Sequence, residues 1–514
     1  MSRDTPYTGD YSVTYLYNDD AGNTSGLRSK AMERKRCIMG FKLAKYIEPD
    51  FTQKKFAEAS HSFAATGIAG GCASKVKNSG NDKAGSAGDN GMAGGGMTYR
   101  TDPKFGEKVS VLGYGCMRWQ MTKDENGKDI IDQESVNELV DYALARGVNY
   151  FDSSPVYLQG QSEAASGLAL SRHPRDSYYI ATKLSNFSDW SRENSLLMYR
   201  KSFENFRTDH LDYYLLHSIG RSIEDFENRY VKNGMLDFLL KEREAGHIRH
   251  LGYSFHGSRQ MFDELLKTHE KCHWDFIQIQ MNYRDWSHAD GRNCNADHMY
   301  GELEKRGIPV VIMEPLRGGS LAKLPNRIVD ELKERMPSES VASWAFRFAG
   351  TPENVLTVLS GMTYMEHLRD NLRTYSPLVP LTADDMEFLE KVADSLSKYP
   401  LVPCTGCQYC MPCPYGIDIP GNFSHYNKCV NEGYTVSEPD VDSGECTEEM
   451  KAYRRARRAY LVSYDRSIEK IRQANRCIGC GQCISHCPQD IKIPGELHRI
   501  DHLIENLRRH SDRL

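Results

Sequence analysis

Leu211-Asp-Tyr-Tyr-Leu-Leu-His217 is the run that decides the fold. It is short and mostly apolar, as expected of a parallel strand buried on both faces. Runs of the same kind recur at Val109–Gly115, Asn149–Asp152, Tyr178–Lys183, Ile248–Ser254, Phe276–Asn282, Pro309–Glu314 and Val355–Leu359. Amphipathic helical patterns lie between them: Asp132–Arg146, Ser162–Ser171, Ser191–Phe206, Arg229–Ala245, Arg259–Thr268, His298–Lys305, Ile328–Met336 with Ser340–Phe348, and Met365–Leu372. Strands and helices alternating eight times over roughly 260 residues predict an α/β fold, a (β/α)8 TIM barrel. No G-x-G-x-x-G follows the first strand, which argues against an open doubly wound sheet.

The chain of 514 residues is too long for one ordinary core. A hydrophobic content of 39% and a charged content of 26% are those of a soluble globular protein. The net charge of −5 gives no reason to expect nucleic acid as a partner, and no apolar run is long enough for a membrane span. Residues 1–96 read as a low-complexity, disordered extension, because Gly67–Gly96 is a Gly/Ala/Ser/Asn mixture with almost nothing to bury. Within it, Lys54-Lys55-Phe56 and Phe63–Cys72 faintly resemble a degenerate Tat-type export signal, with two lysines where two arginines are wanted. Residues 97–380 form the barrel and residues 381–514 a helical cysteine domain opened by Pro400 and Pro403.

Eight of the fifteen cysteines fall in two clusters: Cys404, Cys407, Cys410, Cys413-Pro414 and Cys477, Cys480, Cys483, Cys487-Pro488. The second has the spacing C-x2-C-x2-C-x3-C-P, which places three thiolates on one 4Fe–4S cluster and sends the fourth to its neighbour. Zinc is the alternative for cysteine pairs two apart, but a tetrahedral site fed by two pairs has no use for the third and fourth cysteines of each series. The halves repeat, Cys413–Gly421 matching Cys487–Gly495 in an Ile-x-Ile-Pro-Gly ending. Two 4Fe–4S clusters are therefore expected. Cys487 completes the one on Cys404, Cys407 and Cys410, and Cys413 the one on Cys477, Cys480 and Cys483. Such clusters need reducing surroundings, so the expected location is cytoplasmic, export through the degenerate signal being the alternative. Cys37, Cys72, Cys116, Cys272, Cys294, Cys429 and Cys446 have no motif spacing and read as packing or surface thiols. The basic run Arg454, Arg455, Arg457, Arg458 lies in a helical stretch expected over Glu448–Gln473 and reads as a solvated face.

Four polar residues stand at or just past predicted strand ends: Asp152, Tyr157, Lys183 and His217. In a parallel barrel that rim is where active sites form. A tyrosine, with an ordinary pKa near ~10, is a poor acid at neutral pH without a cation beside it. Lys183 would lower it, Asp152 would hold the lysine, and His217 would orient a carbonyl.

Phe151–Tyr157, Ile180–Lys183 and Leu215–His217 resemble the tetrad segments of aldo/keto reductases, and Tyr99–Gly106 with Val109–Arg118 resemble that family's opening hairpin and first strand. Gly252–His256, Met313–Gly319, Ser360–Met362 and the appended cysteines are similar to the subgroup with a C-terminal ferredoxin module. The resemblance implies that Tyr157 is the general acid toward a small carbonyl substrate, or acts on its alcohol. It implies NAD(P) held by Ser254 and Gln278 at the nicotinamide, by Glu314, Leu316, Arg317 and Gly318 along the pyrophosphate, and by Asn371 at the adenine. Phe255, Met313, Gly361 and His367 depart from the residues the family places there, the last two from its 2′-phosphate grip. The expected function is NAD(P)-linked interconversion of a carbonyl and its alcohol with iron–sulfur electron transfer, a redox protein being a further expected partner. The alternative is a ferredoxin-bearing electron-transfer subunit whose barrel does no hydride chemistry. Hydride carries two electrons and a cluster takes one, so exchange with nicotinamide calls for a mediator such as a flavin, for which the sequence has no signature.

Overall fold

The computed structural model describes residues 96–435 and 447–509. The expected N-terminal extension, the candidate export signal, and Cys37, Cys72 and Cys446 lie outside the described residues. The eight expected strands form: β1 Leu112–Gly115, β2 Tyr150–Asp152, β3 Tyr179–Leu184, β4 Leu211–Ile219, β5 Ile248–Phe255, β6 Phe276–Gln280, β7 Val310–Met313 and β8 Val355–Ser360. They close into one barrel in sequence order. Every neighbouring pair is parallel, β8 pairing with β1 and β5 with β6. In β4 only Ser218 escapes full burial. Alternation explains why: Tyr213 and Leu215 fill the barrel interior with Ala181, Phe276 and Val311, while Tyr214 and Leu216 join the outer layer under the helices.

Two predicted elements differ. The run Val109–Gly115 splits, because Lys108–Ser110 pairs antiparallel with Tyr99–Thr101 and only Leu112–Gly115 enters the barrel. The split hairpin floors the barrel, where His250 Nε2 donates to Glu107 at 2.7 Å and the His250 ring stacks on Tyr213 at 4.3 Å. The helix expected at Arg229–Ala245 begins only at Met235, after Gly234 at φ 71°. The preceding turn swings Arg229 inward, where it donates to the His217 carbonyl at 2.7 Å. Ser191, Ser258 and Ser340 cap the helices Arg192–Phe206, Arg259–Lys267 and Val341–Gly350 through their hydroxyls.

Helix Ala383–Ser397 starts on a Thr382/Asp385 capping box and packs Leu389, Val392 and Leu396 into the barrel's apolar cluster. Beyond it a second core gathers Phe423, Tyr426, Tyr460, Tyr464, Leu497, Ile500 and Ile504 from helices Ile419–Asn431, Glu448–Ser467 and Ile493–Arg509. The internal repeat explains this layout, since each Ile-x-Ile-Pro-Gly segment opens a helix and buries both its isoleucines, Ile417 and Ile419 in one half, Ile491 and Ile493 in the other. The helix expected over Glu448–Gln473 ends at Ser467, where Ile468 turns extended into the core. Arg454, Arg455 and Arg458 are exposed, while Arg457 donates to the Leu507 carbonyl at 2.5 Å. No helix among the described residues is long and apolar enough to cross a membrane.

Candidate active site and metal centre

The four rim residues meet at the C-terminal end of β2, β3 and β4. Lys183 Nζ donates to Asp152 Oδ1 at 2.5 Å and to the Ser153 carbonyl at 2.7 Å. Gln278 Nε2, from β6, donates to the other carboxylate oxygen at 3.2 Å. Lys183 Nζ stands 4.8 Å from the centroid of the Tyr157 ring, and that ring meets His217 edge-on at 5.9 Å. Tyr157 is held by a tight turn in which Leu158 and Gln159 adopt left-handed backbone at φ 49° and 57°. His217 Nδ1 is fixed by Ser185 Oγ at 2.5 Å and Ser154 Oγ at 3.3 Å. All four side chains are buried.

Burial sets their protonation. Desolvation, then the charges of Lys183, Arg229 and His256, hold the His217 imidazole well below its ordinary pKa, so it is neutral at neutral pH. Burial, followed by the Asp152 charge, drives the Tyr157 phenol well above its ordinary value. This reverses the direction expected from the sequence. The Lys183 charge, itself disfavoured by burial, is spent on Asp152 rather than on the phenol. The Tyr157 phenol therefore keeps its proton at neutral pH. Replacing Lys183 with methionine leaves the Asp152 carboxylate buried without its cation, which costs about 3–5 kcal/mol. Thermal melts should show that loss in Lys183→Met, and its partial recovery in the double variant Asp152→Asn/Lys183→Met; no change in stability would contradict the pairing.

The eight motif cysteines sort into two groups in space. The Cys410 thiol is pushed up by burial and by the neighbouring Cys407, Cys404 and Cys487, and the Cys483 thiol by burial and then by Cys477, Cys480 and Cys413. Backbone N–H groups face these sulfurs, as Gly406 N does Cys404 Sγ at 3.4 Å. Among the described residues, no three His, Cys, Asp or Glu side chains close on a single-ion position. Four thiols with N–H donors suit a 4Fe–4S cluster, whose thiolates bind separate irons. Cys116, Cys272, Cys294 and Cys429 are buried, and desolvation raises their thiols to about 12, 11, 12 and 11, as suits packing residues.

Residues 111–394 match the aldo/keto reductase family along more than half of the chain. The chain belongs to the aldo/keto reductase family. Residues 403–491 of this reductase match a 4Fe-4S dicluster domain. The uncharacterized oxidoreductase YqkF of Bacillus subtilis is 23% identical over 298 residues, covering 52% of this chain and 87% of its own length. D-arabinose 1-dehydrogenase of Saccharomyces cerevisiae is 32% identical over 117 residues, which is 21% of this chain and 32% of that enzyme. Among solved structures, an aldo-keto reductase from Bacillus halodurans in its holo form is 22% identical, with a TM-score of 0.47, 58% of this chain and 96% of that chain being covered.

The residues expected to hold a nucleotide in this reductase fall in different settings. Ser254 on β5 and Gln278 on β6 are register partners, both buried beside the tetrad. Ser254 Oγ accepts from Ser218 N at 2.8 Å. Glu314 and Leu316 lie half-buried on the turn after β7, and burial raises the Glu314 carboxyl. Arg317 is buried, its Nε donating to Asp285 at 3.0 Å and its Nη2 to Asp290, so its charge is already matched. Gly318, at φ 68°, backs onto Thr405, whose carbonyl oxygen would lie 2.1 Å from an added Cβ. Asn371 donates to Ser360 Oγ at 2.8 Å. Phe255 packs on Phe262 at 5.1 Å, and His367 on Tyr364 at 5.3 Å.

Two residues at this rim were not singled out from the sequence. Arg118 lays its stem against Gly361 and donates to the Thr405 carbonyl at 2.7 Å. Tyr409, between Cys407 and Cys410, reaches the tetrad itself: its hydroxyl is 3.2 Å from His217 Nε2 and neighbours the Tyr157 phenol. An aromatic between two cluster cysteines was the only available signal, and it does not say which way the ring points.

Proposed function

We propose that this reductase interconverts a small carbonyl compound and its alcohol with NAD(P), and that its C-terminal domain carries two 4Fe–4S clusters. The observation that carries this reading is a neutral imidazole and a phenol held protonated side by side on one barrel rim. Tyr157 gives its hydroxyl proton to the carbonyl oxygen, and His217 Nε2 orients that oxygen. Asp152, Lys183 and Gln278 form the buried network that fixes the phenol's surroundings. Bound nicotinamide dinucleotide supplies the hydride, and bound clusters carry single electrons. Ser254 and Gln278 fit the nicotinamide end, being adjacent buried polar groups facing the tetrad. With Arg317 committed to two aspartates, the backbone of the Glu314–Gly318 turn is what remains to run along the pyrophosphate.

A redox protein is the further partner, and the reducing cytoplasm the compartment, that such clusters call for. A barrel without hydride chemistry is favoured by one observation, the Thr405 backbone lying against Gly318. The deciding experiment uses full-length, anaerobically purified protein with NADH or NADPH and a panel of small aldehydes. One alcohol should form per nucleotide oxidised. The rate should stay level from about pH 6 to about pH 9, because the donor is the protonated form and its loss lies above the ordinary tyrosine pKa of ~10. Absence of nucleotide-dependent aldehyde loss, with iron intact, would contradict the reading, as would activity that has already fallen by about pH 8.

A further inference from the structure

The loop Cys404–Cys410 crosses the barrel rim at two points. Thr405 abuts Gly318 with its backbone and takes the Arg118 guanidinium on its carbonyl at 2.7 Å. Tyr409 reaches deeper. Its hydroxyl stands 3.2 Å from His217 Nε2 beside the Tyr157 phenol, and its ring lies 6.2 Å from Phe187, which packs on His217 at 5.0 Å. An oxygen that is to be protonated by Tyr157 and oriented by His217 must sit where both groups reach it. The Tyr409 oxygen occupies that place. One position has two claimants, a substrate carbonyl and a side chain of the same polypeptide.

We propose that Tyr409 competes with the substrate oxygen for the Tyr157–His217 pair, so that the Cys404–Cys410 loop is the gate of the carbonyl site; this rests on the carbonyl-reductase reading above. The gate is tied to the first cysteine group, since Tyr409 stands between two of its members, Cys407 and Cys410, and that group also includes Cys487 from the other half of the repeat. Substrate therefore binds only when a segment anchored by those cysteines withdraws from the rim. The competing contact consists of one hydrogen bond, to His217, with an aromatic ring behind it. One such bond, of ordinary net strength, amounts to roughly twofold to tenfold in apparent affinity.

The test compares full-length, cluster-loaded wild type with Tyr409→Ala and Tyr409→Phe, iron content being checked in each. Two quantities are read: KM and kcat for benzaldehyde, and the dissociation constant of benzamide, an unreactive carbonyl ligand, by calorimetry without nucleotide. The gate predicts that Tyr409→Ala lowers both KM and the benzamide constant by about threefold to tenfold. Tyr409→Phe keeps the ring and loses only the hydroxyl, so it should shift both the same way by less. If Tyr409→Ala fails to hold its iron, Tyr409→Phe alone decides. A fall in kcat with unchanged benzamide affinity would overturn the proposal, making Tyr409 a proton donor, and so would no change in either quantity. If no variant reduces benzaldehyde, the carbonyl-reductase reading fails, while benzamide binding still decides the gate.

Discussion

Tyr157→Phe is expected to lower carbonyl reduction by about 10²–10⁴-fold, the usual worth of a positioned general acid. The change deletes one hydroxyl from a side chain whose ring stays packed against His217 at 5.9 Å, under the Lys183 ammonium at 4.8 Å. The fold therefore has little reason to respond. What disappears is the protonated phenol assigned to the incoming oxygen. Neutral His217 still orients the carbonyl but has no proton to spare at no cost, since Ser185 and Ser154 hold its other nitrogen. The loss should appear in kcat, with a melting curve close to wild type. Turnover within a factor of about two of wild type would mean that Tyr157 is not the acid.

Cys487→Ser should remove one whole cluster, and the cluster it removes should belong to the other half of the repeat. If two cubanes are bound, the chain holds about eight irons and eight sulfides. Cys487 is grouped with Cys404, Cys407 and Cys410, and Cys413 with Cys483 and its neighbours. Cys487→Ser is then expected to lose about four irons from the first group and leave the second largely intact, and Cys413→Ser the reverse. Combining each substitution with Cys480→Ser separates the cases. Cys480 belongs to the second group, so Cys487→Ser/Cys480→Ser should lose nearly all iron, whereas Cys413→Ser/Cys480→Ser should lose only about half. The opposite pattern would mean that each half holds its own cluster. Stoichiometric zinc with no labile sulfide would exclude cubanes altogether.

The barrel was legible because its strands are buried on both faces, so runs such as Leu211–His217 stand out as continuous apolar stretches. The tetrad was legible for a related reason: a polar residue that ends such a run must lie at the rim. Pairing signals were weaker. Ser110 looks like part of the first strand, yet its amide donates to Asn149 and its hydroxyl to the Leu112 carbonyl, which breaks the run below the barrel. Charge partners were not legible at all. Arg317 reads as a free loop cation until the fold brings Asp285 and Asp290 to it. The direction of the Tyr157 shift was missed because it depends on depth of burial, which a strand-end position does not reveal. Tyr409 meets His217 across 192 positions of sequence, between two domains recognised separately.

The central claim is that hydride chemistry takes place at the tetrad of a chain that also carries clusters. It is tested most directly by following label. NADH and NADPH, each deuterated in turn on the two faces of nicotinamide C4, are mixed anaerobically with the full-length protein and a small aldehyde, and the alcohol is analysed by mass. With one of the labelled faces, deuterium should appear on the carbinol carbon in step with nucleotide oxidation, and Tyr157→Phe should suppress its appearance. Alcohol formed without label from either face would mean that the new C–H bond takes its hydrogen from water and not directly from nicotinamide, and would contradict the account.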